Sequence, residues 1–201
     1  MPKKKKIRAI IFDLGGVIVH GGYMDFIRQY CRECLTPLGK RKLARLERRV
    51  NLGEITENGF YREMKAIFGI KVSPTRMHEL IVRKMKTDRG LANLIPDLKK
   101  SRIALFTNSI GHMAHEVLIK RKLNHRRLFD RVFDSSDLHI VKPDAGAYRF
   151  VMHKLKVKPR ETLMVDDRSR NIRGAKRIGM NGVVYKNAAQ FKKELKKYEL
   201  R

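Results

Sequence analysis

Three short apolar runs, each ending in a polar residue, constrain this chain more than any other feature. The run over 7–12 (Ile-Arg-Ala-Ile-Ile-Phe) stops at Asp13, the run over 102–107 stops at Thr107-Asn108, and the run over 162–165 stops at Asp166-Asp167. Each has the length and branched-residue content of a buried strand and is too short for a helix of the interior. Helical patterns lie between and after them, over 109–122, 144–155 and 169–178. Shorter strand-like runs follow at 131–133 and 181–185, and an amphipathic helix over 188–200 closes the chain, its docked face marked by Phe191, Leu195 and Tyr198. Strands alternating with helices predict a doubly wound α/β fold, a parallel sheet covered by helices on both faces.

Residues 23–88 have a different character. Helical stretches are broken at Thr36-Pro37, Asn51-Leu52-Gly53, Gly69 and Ser73-Pro74. Thr56-Glu57-Asn58 starts one helix, and Ser73 caps another with Pro74 in its first turn. This block predicts a small all-α segment inserted into the α/β pattern. The expected division is a core of residues 1–20 and 89–201 with a helical cap over 21–88.

Hydrophobic residues make up 42% of the 201 residues, enough for a packed core. No apolar run approaches the roughly 18 to 20 residues that span a bilayer, which excludes a membrane-spanning helix. The start, Met1-Pro2-Lys3-Lys4-Lys5-Lys6, is not followed by the apolar stretch of a secretory signal. Two cysteines make no disulfide framework, so a reducing, cytoplasmic setting is expected. Cys31-Arg32-Glu33-Cys34 stands alone and reads as two partly buried thiols on a helix, in preference to a metal or redox pair. The 47 Lys+Arg against 20 Asp+Glu leave a net charge of +27. These cations are scattered, from Lys3 to Lys6 through Lys40-Arg41-Lys42 and Arg126-Arg127 to Lys192-Lys193 and Lys196-Lys197. The reading preferred is a solvated basic surface; nucleic-acid binding is second, and a nuclear import signal at the lysine run is weaker still.

In a parallel sheet of this kind ligands gather at the C-terminal ends of the strands. Asp13, Asp166 and Asp167, the hydroxyl of Thr107 and the ammonium of Lys142, which with Pro143 opens a helix, all converge there. Close carboxylates repel unless a cation neutralises them, and hard oxygen donors suit Mg²⁺. Carboxylates, Mg²⁺, a lysine and a hydroxyl describe a site for phosphoryl transfer.

Four motifs now stand in order: Asp13-Leu14-Gly15-Gly16-Val17, Thr107-Asn108, Lys142-Pro143, and Val165-Asp166-Asp167 with Asn171-Ile172, Ala175 and Gly179. Together they resemble the haloacid dehalogenase (HAD) superfamily of hydrolases over about residues 5–20 and 90–187. The resemblance implies a Rossmann-like core with its helical cap between the first and second motifs. It implies Asp13 as the nucleophile of an aspartyl-phosphate mechanism, with Thr107 and Lys142 as further catalytic residues. Leu14, Gly15, Gly16, Thr107, Asn108 and Lys142 would bind the phosphate of a small substrate. Asp13, Asp167 and the backbone carbonyl of Gly15 would hold Mg²⁺, with Asp166 acting through water or orienting its neighbour. Asn108 and Asn171 read equally well as turn and capping residues.

One position departs from the pattern. Phosphatases of this superfamily usually carry a second Asp two residues after the nucleophile, where it protonates the leaving oxygen; this chain has Gly15. General acid help is typically worth about 10²- to 10⁴-fold. Members resembling sugar-phosphate phosphatases share the glycine, so a sugar phosphate or another substrate with a good leaving group is expected. His20 is the nearest titratable side chain that would replace the acid. The alternatives are a catalytically weak HAD-fold protein that binds nucleic acid or acts as a scaffold, a dehalogenase-type hydrolase, and a hydrolase of nucleic-acid ends. Substrate identity and oligomeric state are not written in the sequence.

Overall fold

The computed structural model describes residues 5–123 and 128–200 of the chain. After β1 (Lys5–Ile7) and β2 (Ala9–Phe12) come a two-residue strand β3 (Val19–His20), the helices α1 (Tyr23–Tyr30), α2 (Pro37–Asn51), α3 (Glu57–Phe68) and α4 (Pro74–Lys84), and a second short strand β4 (Lys86–Thr87). Then follow α5 (Arg89–Leu94), β5 (Arg102–Thr107), α6 (Met113–Lys120), β6 (Arg131–Asp134), α7 (Ser135–Leu138) and α8 (Ala145–Leu155). The remainder is β7 (Thr162–Asp166), α9 (Ser169–Arg177), β8 (Asn181–Val184), α10 (Ala188–Leu195) and β9 (Tyr198–Leu200).

The main sheet has the order β6-β5-β2-β7-β8. Every pairing in it is parallel, with Phe12 opposite Leu105 on one side and Val165 on the other. The chain starts in the middle at β2, builds one side with β5 and β6, then crosses back to build the other with β7 and β8. That reversal opens a crevice at the C-terminal end of β2, where Asp13 follows. Side chains alternate across the sheet as a period of two requires. Ile10, Phe12, Ile103, Leu105, Leu163 and Val165 pack on one face, and Ala9, Ile11, Ala104, Phe106 and Met164 on the other.

The helical segment forms for local reasons. Thr36, Thr56 and Ser73 cap α2, α3 and α4 by accepting from the backbone N–H of Gly39, Gly59 and Arg76. Pro37 and Pro74 occupy first-turn positions that need no donor. Leu43, Leu46 and Val50 of α2, Phe60 and Met64 of α3, and Met77 and Ile81 of α4 form the buried stripes.

Several sequence expectations are corrected. The first run is two strands, broken at Arg8: β1 leaves the main sheet and pairs in parallel with β9. The closing helix ends at Leu195, and Tyr198 lies in β9, where partnership with Lys5 overrides its helical spacing. The helix expected from residue 109 starts at Met113, because Ser109–Gly111 makes a turn with Gly111 at φ 53° and Ser109 Oγ donating to Gly111 O. Cys31 and Cys34 are joined in a disulfide bridge across a short 3-10 turn, not held as thiols on one helix, and both are buried. Met1–Lys4 of the lysine run and Arg126-Arg127 lie outside the described residues. Among the described residues, no helix is long and apolar enough to cross a membrane.

The sequence reading contained no strands at the ends of the helical insert, yet β3 and β4 form an antiparallel stem there. Asp88, one residue beyond β4, ties the stem to the core. Its Oδ1 accepts from Leu91 N at 2.9 Å, and its Oδ2 accepts from Tyr185 Oη at 2.7 Å and lies 3.1 Å from His20 Nε2. Burial opposes its ionisation, but these partners outweigh burial and hold the carboxyl below its ordinary range. Asp88→Ala removes a helix cap and two side-chain partners at once. We expect a loss of about 2 kcal/mol, read as a lower denaturant midpoint at unchanged slope.

Candidate active site

Asp13 extends the ladder of β2, its N–H donating to Val165 O at 2.9 Å, so its side chain is fixed at the crevice. The chain then turns tightly, with Ile18 N and Val19 N both donating to Leu14 O at 2.9 Å. Gly16 takes φ 76°, and a Cβ there would lie 2.4 Å from Asp167 Oδ2. A side chain at 16 is therefore excluded both by conformation and by the carboxylate it would strike. Gly15 differs: a Cβ added there meets nothing within 4 Å.

At the centre is Lys142, whose side chain has 0% exposure. Its Nζ lies 2.8 Å from Asp13 Oδ1 and 2.8 Å from Asp166 Oδ2. Asn108 holds the lysine in place through both ends of its amide, Nδ2 donating to Lys142 O at 2.9 Å and Oδ1 accepting from Lys142 N at 3.0 Å. Asp166 is fully used as well. Oδ1 accepts from Arg168 N at 2.8 Å and Asn171 Nδ2 at 3.0 Å, and Oδ2 accepts from Asn171 Nδ2 at 2.9 Å besides Lys142. Asp166 is completely buried, whereas the neighbouring Asp167 is exposed.

Ligand oxygens of Asp13, Asp166 and Asp167 lie within 4.8 Å of one another. One ammonium among three carboxylates leaves the cluster short of positive charge. Burial pushes Asp13 up to about 6, Lys142 pulling it down and Asp166 and Asp167 raising it further. The partial desolvation of its carboxyl and then Asp166 also raise Asp167. Burial works against the charge of Lys142, but Asp13 and Asp166 outweigh it and hold the proton on.

A cavity of about 210 Å³ opens above this cluster. Asp13, Thr107, Asn108, Lys142, Asp167 and Asn171 line it from the sheet side, with the loop of Leu14, Gly15 and Gly16. All the predicted site residues thus meet at one place, except that Asp166 lies behind the cavity wall. Sequence reasoning missed the opposite wall, where the helical segment contributes Tyr23, Met24, Glu47 and Asn51. Glu47 sits on a helix rich in Lys and Arg, where a single acid gives no sign of facing inward. Arg168, beside Asp166-Asp167 in sequence, was also missed. Burial opposes its charge, and Glu47, then Asp13, Asp167 and Asp166, favour it. His20 does not line the cavity; its ring is held by Asp88 and stacks on Tyr185 at 6.4 Å between centroids.

Residues 7–179 match the family model described as haloacid dehalogenase-like hydrolase. The chain belongs to this hydrolase family. It is 24% identical over 180 residues to the sesquiterpene phosphatase astK of Aspergillus oryzae, covering 88% of each chain. It is 28% identical over 192 residues to the phosphorylated carbohydrates phosphatase of Thermotoga maritima, covering 89% of this chain and 86% of that one. It spans only 36% of another relative, the drimenol cyclase drtB of Aspergillus calidoustus. Its fold is similar to that of a HAD family enzyme from Bacteroides thetaiotaomicron in complex with magnesium and inorganic phosphate. The TM-score is 0.72 at 19% identity, over 90% of this chain and 95% of the other.

The raised Asp13 carboxyl makes a stability prediction. A carboxyl whose folded pKa lies above its unfolded value binds protons more tightly when folded, so its ionisation opposes folding above about pH 6. In metal-free protein, Asp13→Asn should therefore melt at or above the wild-type temperature at pH 7.5. The advantage should shrink as pH falls from 6 towards 4, as melting curves across that range will show.

Proposed function

We propose that this hydrolase is a Mg²⁺-dependent phosphatase of a small phosphate ester whose alcohol is compact and apolar. The buried Asp13–Lys142–Asp166 arrangement, with Asp167 exposed beside it, is the observation that carries the reading. The donor set fits a hard divalent cation: three carboxylates crowd one point with a single ammonium, and the bare Cα of Gly16 leaves room for Asp167. Asp13, Asp167 and the carbonyl of Gly15 would hold the ion. Both oxygens of Asp166 are engaged, so Asp166 positions Lys142 and Asn171. When bound, the cation neutralises charge on the phosphoryl oxygens.

The rest falls to the chain itself. Asp13, kept ionised by Lys142, attacks phosphorus through a carboxylate oxygen; the bond to the leaving oxygen breaks and an aspartyl-phosphate forms. Water then attacks that phosphorus, releasing inorganic phosphate and restoring the Asp13 carboxylate. Lys142 and Thr107 bind phosphoryl oxygens, and Asn108 keeps Lys142 in register. The leaving oxygen needs a proton that residue 15 does not supply. Glu47 is the carboxyl that the helical segment presents to the same cavity, and we assign it this proton and its recovery from the attacking water. In this reading residues 21–88 form a cap that closes on the substrate and excludes solvent.

The walls favour an apolar alcohol over a sugar. Val19, Met24, Met85, Ile110, Met113 and Val117 form an apolar stretch of the cavity lining, alongside the polar Tyr23, Glu47 and Asn51. The phosphatase names of the two relatives support phosphoryl chemistry, one with a terpenoid and the other with a carbohydrate substrate. Turnover of short prenyl and alkyl phosphates should exceed that of sugar phosphates in kcat/KM, and Asp13→Asn should abolish both. Equal or better turnover of sugar phosphates would remove the apolar assignment while leaving the reaction class intact.

Glu47 has its own test. Glu47→Gln should lower kcat/KM, which reports only the steps through aspartyl-phosphate formation, about 10²- to 10⁴-fold for alkyl phosphates and much less for p-nitrophenyl phosphate, whose leaving group needs no proton. Gly15→Asp, which meets open space, should restore alkyl phosphate turnover in the Glu47→Gln background. A loss equal for both leaving groups would show that Glu47 only shapes the cap.

A further inference from the structure

Beyond the catalytic crevice, the described residues hold one other cluster of metal-binding type. His115 lies in the first turn of α6, Asp134 ends β6, and Asp137 lies in α7. One ligand atom from each falls within 4.8 Å of the others. Asp134 is 3% exposed, and its two oxygens are unequal. Oδ1 accepts from Ser136 N at 3.1 Å and Ser136 Oγ at 3.0 Å, whereas Oδ2 is buried with no hydrogen-bond partner. A buried carboxylate oxygen left without a donor is costly unless a cation or water completes it.

The distances favour a cation. His115 Nε2 stands 3.5 Å from Asp137 Oδ2, beyond normal hydrogen-bond length. Two ligands about 2.1 Å from a tetrahedral zinc ion lie about 3.4 Å apart. On the far side the exposed His112 has its Nδ1 at the same distance, 3.5 Å, from Asp137 Oδ1. One imidazole and two carboxylates, partly open to solvent, leave a fourth position for water.

We propose that His115, Asp134 and Asp137 bind a zinc-like divalent transition metal, separate from the catalytic cation. An imidazole donor selects such a metal over Mg²⁺, which prefers oxygen alone. The position gives the ion a purpose. Asp134 is the sheet partner of Thr107, and α6, which carries His115, also carries Met113 and Val117 of the cavity wall. The ion would clamp the start of α6 to the end of β6 and so fix one wall of the cavity. The proposal does not depend on the phosphatase reading.

The test uses untagged, chelator-stripped full-length protein with Asp13→Asn and Asp167→Asn, so that the catalytic carboxylates cannot bind zinc. Zinc uptake is measured by equilibrium dialysis in excess Mg²⁺, and Co²⁺ replaces Zn²⁺ for absorption spectra. We expect one zinc per chain and visible bands of a tetrahedral or five-coordinate Co²⁺ site. His115→Ala and Asp137→Asn alter exposed side chains, and each should weaken binding by at least about 100-fold. Asp134→Asn should do the same, with its folding checked by melting. Absence of zinc binding at micromolar concentration would overturn the proposal. So would uptake that persists in the His115→Ala/Asp137→Asn variant, which would place the metal elsewhere.

Discussion

A lysine ammonium with no solvent-exposed side chain, 2.8 Å from each of two carboxylates, is the interaction on which the site depends. Such a charge is tolerated inside a protein only when its partners are close and their remaining lone pairs are satisfied. For Asp166 both conditions are met by neighbours from different parts of the chain. Asp13 arrives on β2 and Asp166 on β7, with Asn171 supporting Asp166 from α9 and Asn108 supporting Lys142 from beyond β5. The parallel sheet brings these residues together, because the reversal of strand order places the ends of β2, β5 and β7 side by side. Removing Lys142 would strand two carboxylates in a medium that cannot hydrate them.

The charge balance also divides labour between adjacent aspartates. Asp166 is buried and has four hydrogen-bonding contacts, which fixes it as an anchor. Asp167, one residue on and beyond the end of β7, lines the cavity and stays exposed. Two identical side chains in sequence thus acquire different chemistry, one at the buried end of a strand and the other in the exposed turn that follows it.

Much of this was legible in the sequence, because it rests on local signals. Short apolar runs ending in Asp13, Thr107 and Asp166 are strands that deliver polar residues to one sheet edge, and that edge gathers every predicted site residue. Caps at Thr36, Thr56 and Ser73 mark helix starts that needed no tertiary information. What escaped depends on contacts distant in the chain. The β3–β4 stem joins residues far apart in sequence, and two-residue strands leave no periodic trace. Tyr198 fits a helical face, yet a partner at the other end of the chain takes it into a strand. Glu47 looks like one more charge on a solvated helix, and only the fold brings it to the cavity that Asp13 also lines. Cys31 and Cys34 were read as thiols because their spacing alone does not specify a bridge.

The stem has a consequence for how such an enzyme can change. The helical insert departs from β3 (Val19–His20) and returns at β4 (Lys86–Thr87), and those two segments are hydrogen-bonded neighbours in a sheet of their own. The distance the insert must span is therefore one strand spacing, whatever its own length or content. Closing a longer loop between fixed, adjacent ends costs little extra entropy, only about 0.6 kcal/mol per doubling. The insert behaves as an exchangeable module on a fixed socket. Its inner face can drift towards a new substrate, while the lysine and its two carboxylates keep the geometry that the sheet imposes.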